Sequence, residues 1–117
     1  MATVSPEFLS LQAQAQNIYY TKWTGIVTGD TINPRVSPAQ VPIAGAVQFG
    51  GTFGGTTIKL QASNDGVTYF DMVDLQGNVI SATANALFEF TTAAIYIRPL
   101  LTAGAANSVN VTLMLRG

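Results

Sequence analysis

The side chains able to do chemistry in this chain are few. Its carboxylates are Glu7, Asp30, Asp65, Asp71, Asp74 and Glu89, and its cations are Lys22, Arg35, Lys59, Arg98 and Arg116. Histidine and cysteine are absent. That removes the commonest general base, the commonest metal ligand and every thiolate. Serine and threonine are plentiful, yet nucleophilic Ser-His chemistry has no base to run on. Hydrolysis by paired carboxylates needs two acids facing each other across a cleft, and the acids here are thinly spread. Asp65, Asp71 and Asp74 offer oxygen ligands of the kind calcium takes, but the spacing of a calcium-binding loop is missing, and they read as solvated carboxylates at strand ends. The Gly-rich run "FGGTFGGTT" lacks the Lys-Ser/Thr of a phosphate loop and leads into a strand pattern, so it reads as a bend where backbones approach closely. The expectation is a protein without catalytic residues, metal or cofactor.

The same side chains exclude other classes. Five cations scattered along the chain make no electrostatic footprint for nucleic acid. No stretch approaches the roughly 18 apolar residues of a membrane span. The start, "MATVSPEFLS", has neither a basic region nor an apolar run of a secretory leader, and the expectation is cytoplasmic synthesis. Only 9% of residues are charged, against about 25% in ordinary domains, and the net charge is −1. A surface so weakly charged favours packing against neighbours.

Aromatic residues and turn groups supply the candidate contact sites. Trp23 stands near Tyr19 and Tyr20 on one strand-like run. It reads first as a core residue, with an interface anchor or a sugar-stacking platform as alternatives. "LQASNDGVTYFDM" reads as strand, tight turn, strand. Asn64, Asp65 and Gly66 are the residues a turn demands. Tyr69 and Phe70 are adjacent, so they face opposite sides, one toward the core and one over the outer surface. Arg98, two residues after Tyr96, points outward and can stack or bind a carboxylate.

These residues need elements to hold them, and three zones are visible. Residues 1–17 form an N-terminal arm or a short helix. Ser5, Pro6 and Glu7 make a helix start with Phe8 and Leu11 on one face, while "SLQAQAQ" alternates as an extended arm would. This zone is expected to be dispensable for the fold. Residues 18–44 hold a strand, "NIYYTKWTGIV", and a connector punctuated by Pro34, Pro38 and Pro42. Residues 45–117 form the body, a run of short strands separated by turn signals. Val47 and Phe49 share a face, as do Ile58, Leu60 and Ala62, with Lys59, Gln61 and Ser63 opposite. Phe88 and Phe90 flank Glu89, Ile95 and Ile97 point inward, and Val109, Val111, Leu113 and Leu115 share a face. The fold class is all-β, an antiparallel β-sandwich or jelly roll, one domain over 18–117.

Several phrases resemble known families. "GTFGGTTIKLQASNDGVTYFDM", then Gly77-Asn78 followed by "ISATA", then "YIRPLLTAG" and "VNVTLMLRG", together resemble small β-sandwich proteins of tailed bacteriophages, the capsid decoration (cement) proteins and related virion components. The resemblance spans roughly residues 46–117. It implies a structural virion protein on the capsid exterior, a homotrimer that binds the major capsid protein and bridges its subunits, with no nucleic acid or membrane partner. Under that reading the candidate capsid or subunit interface is Phe8, Leu9, Leu11, Tyr19, Tyr20, Trp23 and Arg35. A second resemblance is to discoidin-type, galactose-binding-like jelly rolls, through Ser63-Asn64-Asp65-Gly66 with Tyr69 and through Tyr96-Ile97-Arg98. The terminal cysteine pair of many such domains is absent. This resemblance implies a carbohydrate-binding or host-attachment module whose candidate ligand tip is Asn64, Asp65, Tyr69 and Arg98.

Overall fold

The computed structural model describes residues 3–9, 18–36 and 43–116. Among the described residues twelve strands run in order: β1 Thr3–Val4, β2 Glu7–Leu9, β3 Ile18–Ile26, β4 Thr31–Ile32, β5 Arg35–Val36, β6 Ile43–Thr52, β7 Thr57–Ser63, β8 Phe70–Asp71, β9 Ser81–Ala82, β10 Ala86–Thr92, β11 Tyr96–Thr102 and β12 Ser108–Arg116. They form two antiparallel five-stranded sheets and a small parallel pair. The first sheet has the order β10-β6-β12-β3-β2, and the second β5-β11-β7-β8 with β9 also on β7. The all-β sandwich expected from strand spacing is the fold observed.

Alternation along each strand builds the core. In β12, Val109, Val111, Leu113 and Leu115 are all fully buried, so one period-2 face supplies four core residues. Val47 and Phe49 on β6 lie beside them in the same sheet, Ile58 and Leu60 on β7 and Ile97 on β11 come from the other sheet, and Trp23, Phe49 and Phe90 are the largest of the fully buried side chains. β12 lies between β3 and β6, so it reads as the most apolar alternation in the chain.

The two sides of the sandwich are closed differently. At the β3–β5 side, the first residues act as a strap. β1 pairs parallel with β4, and β2 pairs antiparallel with β3. Asn33 N donates to Val4 O at 2.9 Å, and Asn33 Nδ2 donates to Ser5 Oγ at 2.9 Å. Trp23 Nε1 donates to Asn33 O at 2.9 Å, which satisfies the one polar atom of a fully buried ring. Glu7–Leu9 are therefore a strand and not the first turn of a helix. The free edge of β3 offers backbone partners to every second residue, and that pairing overrides the cap signal of Ser5 and Pro6. The remainder of residues 1–17, including Leu11, lies outside the described residues.

At the opposite side β8 and β10 are the outer strands of their sheets. Ile95, expected inward, is 44% exposed, because β11 begins only at Tyr96 and Ile95 belongs to the preceding loop. Ser63, expected outward, is buried because the turn that follows folds over it. One end of the sandwich is tied by a polar clasp. Asn107 Nδ2 donates to Thr28 Oγ1 and Thr56 Oγ1, its Oδ1 accepts from Thr28 N, and both threonine hydroxyls donate to Ala103 O.

Candidate functional site

The turn after β7 is built around Asp65. Its Oδ1 accepts from Val67 N at 2.8 Å, from Thr68 N at 2.9 Å and from Ser63 Oγ at 2.8 Å. Ser63 Oγ in turn accepts from Asp65 N and Gly66 N. The two amides of Val67 and Thr68, aided by the Ser63 hydroxyl, hold the carboxylate ionised and lower its pKa to about 2. Asn64 Oδ1 accepts from Ile95 N at 3.1 Å, which pins the turn to the loop before β11. Gly66 has φ +77°, and a Cβ there would meet the Tyr96 ring at 3.3 Å, so the turn needs glycine for both its backbone and its packing.

Tyr69 and Phe70 go to opposite sides, as adjacent strand residues must, but neither enters the core. The Arg98 guanidinium carbon lies 3.8 Å from the centre of the Tyr69 ring. Burial pushes the Tyr69 hydroxyl pKa up, outweighing the neighbouring cation. Strand register continues the outer-face network. Arg98 is opposite Gln61 on β7, and Gln61 is opposite Asp71 on β8. Arg98 Nη2 donates to Gln61 Oε1 at 3.4 Å, Gln61 Nε2 to Asp71 Oδ1 at 3.0 Å, and Lys59 Nζ to Asp71 Oδ2 at 3.2 Å. Hydrogen bonds from Gln61 and Lys59 lower the Asp71 pKa.

Phe70 takes the core-facing side of β8, beyond the end of the core, and is 69% exposed. It borders a depression of about 410 Å³ together with Ala62, Asn64, Asp65, Thr68 and Ala94. Met72, two residues on, is buried, so the same strand face passes from packed core to open mouth. Leu75 N donates to Glu89 O at 3.1 Å and covers the middle of the β10 edge.

The expected ligand tip is thus divided. Asn64 and Asp65 line the depression, while Tyr69 and Arg98 stack on each other over the outer face. Phe70 and Thr68 take the places that Tyr69 and Arg98 had in the expectation. Strand alternation already marked Tyr69 and Phe70 as opposites; which of them met the open side depended on which sheet edge β8 occupies. The acids grouped by sequence have separate tasks. Asp65 caps its turn, Asp71 joins the cross-strand network, and Asp74 Oδ1 accepts from Gln76 N and Asn78 N. Among the described residues no three acidic side chains come together to hold a metal ion.

The expected interface residues do not share one surface. Trp23 is fully buried and is a core residue, not a surface anchor. Tyr19 points to the same side and packs against the core. Arg35, half-buried on β5, lies 5.9 Å from the Tyr19 ring centre and bridges the sheets; burial lowers its pKa. Phe8 and Leu9 pair through their backbones with Thr21 and Tyr20. Tyr20 faces outward, because strand residues one apart point oppositely. There it joins a row across the outer face of the first sheet: Tyr20 opposite Met114, Met114 opposite Ala46, Ala46 opposite Glu89. The next row sets Arg116 opposite Ala44 and Ala44 opposite Thr91. The small Ala44 and Ala46 leave a shallow trough of about 320 Å³ between Glu89, Met114 and Arg116.

No protein-family model matches the chain, and no curated protein matches it. Among solved structures the chain is similar to an RmlC-like cupin protein from Desulfovibrio desulfuricans, with 12% identity, covering 97% of this chain and 82% of that one at a TM-score of 0.45, a likeness that carries no argument about the site.

Proposed function

We propose that this chain is a structural virion protein that binds the outside of a phage capsid and stabilises it by bridging major capsid subunits, with a homotrimer as the unit of assembly. The resemblance of residues 46–117 to decoration proteins motivates the virion setting. The structural observation that carries the reading is the outer face of the β10-β6-β12-β3-β2 sheet. It offers Tyr20, Met114, Ala44, Ala46 and the 63% exposed Leu87, with charges of both signs at Lys22, Glu89 and Arg116. A broad face of small and apolar groups with few charges to desolvate suits a protein partner. Repetition by symmetry turns modest contacts into avid attachment.

Removing residues 1–17 does not test this cleanly. Residues 3–9 pair with both β3 and β4, and Val4 packs on the core, so the truncation also removes a strap. Substitution on the face is the better perturbation. Purified protein added to capsids lacking it is expected to bind saturably and raise their rupture temperature, and to sediment in free solution as a trimer. Ala46→Glu, which sets a second carboxylate beside Glu89, is expected to abolish binding while leaving the melting temperature unchanged. Full occupancy by the variant would sink the assigned face, and source particles that lack the protein would sink the virion reading.

A further inference from the structure

Asp65 is the one aspartate in the chain that is followed by glycine; Asp30, Asp71 and Asp74 precede Thr31, Met72 and Leu75. That pair is the most prone of the four to close on itself, because no side chain on Gly66 hinders attack of its nitrogen on Asp65 Cγ. In that step the N–Cγ bond forms, the carboxyl hydroxyl leaves as water with the Gly66 N–H proton, and a five-membered imide remains. Water then opens the imide at either carbonyl. Opening at Cγ restores aspartate. Opening at the Asp65 main-chain carbonyl leaves the backbone running through Cβ, which is an isoaspartate, and no other reactant is consumed. The fold cannot discard the pair. Gly66 has φ +77° and a Cβ there would meet the Tyr96 ring at 3.3 Å, while Val67 N and Thr68 N need Asp65 Oδ1 as their acceptor.

We propose that Asp65–Gly66 is a latent site of isoaspartate formation and that Ser63 holds it closed. Ring closure needs a Gly66 nitrogen free to turn onto Cγ and a carboxyl able to lose its hydroxyl. Ser63 Oγ occupies both partners. It accepts from Gly66 N at 3.0 Å and from Asp65 N at 3.2 Å, and it donates to Asp65 Oδ1 at 2.8 Å. Ser63 is only 4% exposed, so water competes little for that hydroxyl. With Val67 N and Thr68 N, three donors converge on one carboxylate oxygen. They stabilise the ionised carboxylate, which is a poor electrophile. Lowering the carboxyl from 3.8 to about 2 makes its neutral form more than about tenfold scarcer at any pH above both. Asn64 adds an anchor, since its bond from Ile95 N ties the turn to the loop before β11. An isoaspartate would undo this arrangement, because the extra backbone methylene moves the carboxylate away from the amides of Val67 and Thr68. The site does not depend on the virion reading.

The test ages the full chain in mildly acidic buffer and reads isoaspartate at position 65 by peptide mass spectrometry, using a protease that cuts before aspartate but not before isoaspartate. Folded wild type is expected to form it at least about tenfold more slowly than the same chain in denaturing urea, where the bonds of the turn are gone. Ser63→Ala, checked as folded by the emission of the buried Trp23, is expected to form it at least about fivefold faster than wild type, the opening that loss of one ordinary hydrogen bond allows. Asp65→Asn supplies an arm that does not rely on Ser63→Ala folding. Its side chain keeps an oxygen acceptor without the charge and closes the same ring by losing ammonia. Its deamidation is expected to be slower in the folded chain than in urea, because Gly66 N stays bonded to Ser63. Equal rates for folded and unfolded wild type, a folded Ser63→Ala that ages like wild type, or an Asp65→Asn that deamidates as fast folded as in urea would each overturn the proposal.

Discussion

Asn107 is the hub of the clasp that joins three loops, and replacing it by alanine should expose how much of the sandwich depends on that clasp. The side chain is 8% exposed and makes three hydrogen bonds: from Thr28 N to its Oδ1 at 3.1 Å, and from its Nδ2 to Thr28 Oγ1 at 2.6 Å and to Thr56 Oγ1. At about 1 kcal/mol net for each bond, the gross loss is about 3 kcal/mol. Two features reduce it. Thr28 is exposed, so its amide recovers a water partner, and the buried Thr56 hydroxyl still donates to Ala103 O at 3.1 Å. The expected net cost of Asn107→Ala is therefore about 2 kcal/mol, a large share of the roughly 5–15 kcal/mol that holds a domain folded. At about 4 °C per kcal/mol for a domain near this size, the melting temperature falls by roughly 8 °C. Urea unfolding followed by Trp23 fluorescence measures the loss directly, with an unchanged denaturant slope as the sign that only stability moved. A double-mutant cycle with Thr28→Ala should show coupling of about 1 kcal/mol. A loss below about 0.5 kcal/mol, or strict additivity in the cycle, would refute the assignment of the clasp as a stabilising network.

Three further outcomes follow from the same geometry. Thr21 is fully buried, and its hydroxyl has no hydrogen-bond partner among the described residues; Thr21→Val should raise stability by about 1 kcal/mol, and a loss in chemical denaturation would mean that the hydroxyl is bonded after all. Gly104 has φ +77°, and a Cβ there would lie 2.6 Å from Thr56 N; Gly104→Ala should cost more than about 2 kcal/mol, and near-neutral thermal unfolding would contradict the close approach. The depressed pKa of Asp65 means that its ionised form is favoured by folding. That contribution is complete above the ordinary value near 3.8 and is lost as pH falls toward about 2. The protection of the Val67 and Thr68 amides against exchange, relative to the intrinsic rate at each pH, should hold at pH 4 and fall between there and pH 2, whereas loss of protection already at pH 5 would contradict the cap.

Much of the fold was legible because the signals involved are local. β12 alternates at a period of two, so Val109, Val111, Leu113 and Leu115 identify themselves as one buried face without reference to any other strand. The turn at residues 63–66 is equally local. Its carboxylate bonds amides two and three residues on, and sequence spacing shows that directly. Adjacency likewise assigned Tyr69 and Phe70 to opposite sides. Local signals misled where a distant edge competed. Ser5, Pro6 and Glu7 carry the marks of a helix start, but an edge of β3 was there to be paired.

What the sequence determined by itself is the class of the protein: an all-β chain, weakly charged, without histidine or cysteine, with its core faces written in alternation. Only the tertiary structure decided which of those residues meet. Asn107 is joined to Thr28 and Thr56 across 79 and 51 positions, and Arg98 reaches Asp71 through Gln61 by the register of three strands. Phe70 became the open residue and Tyr69 the covered one because Tyr69 meets Arg98 on the outer face, while Phe70 lies past the end of the core on β8, the last strand on its sheet's path. Strand periodicity is a property of neighbours in the chain, whereas edges, mouths and cross-strand rows exist only once sheets pair and pack.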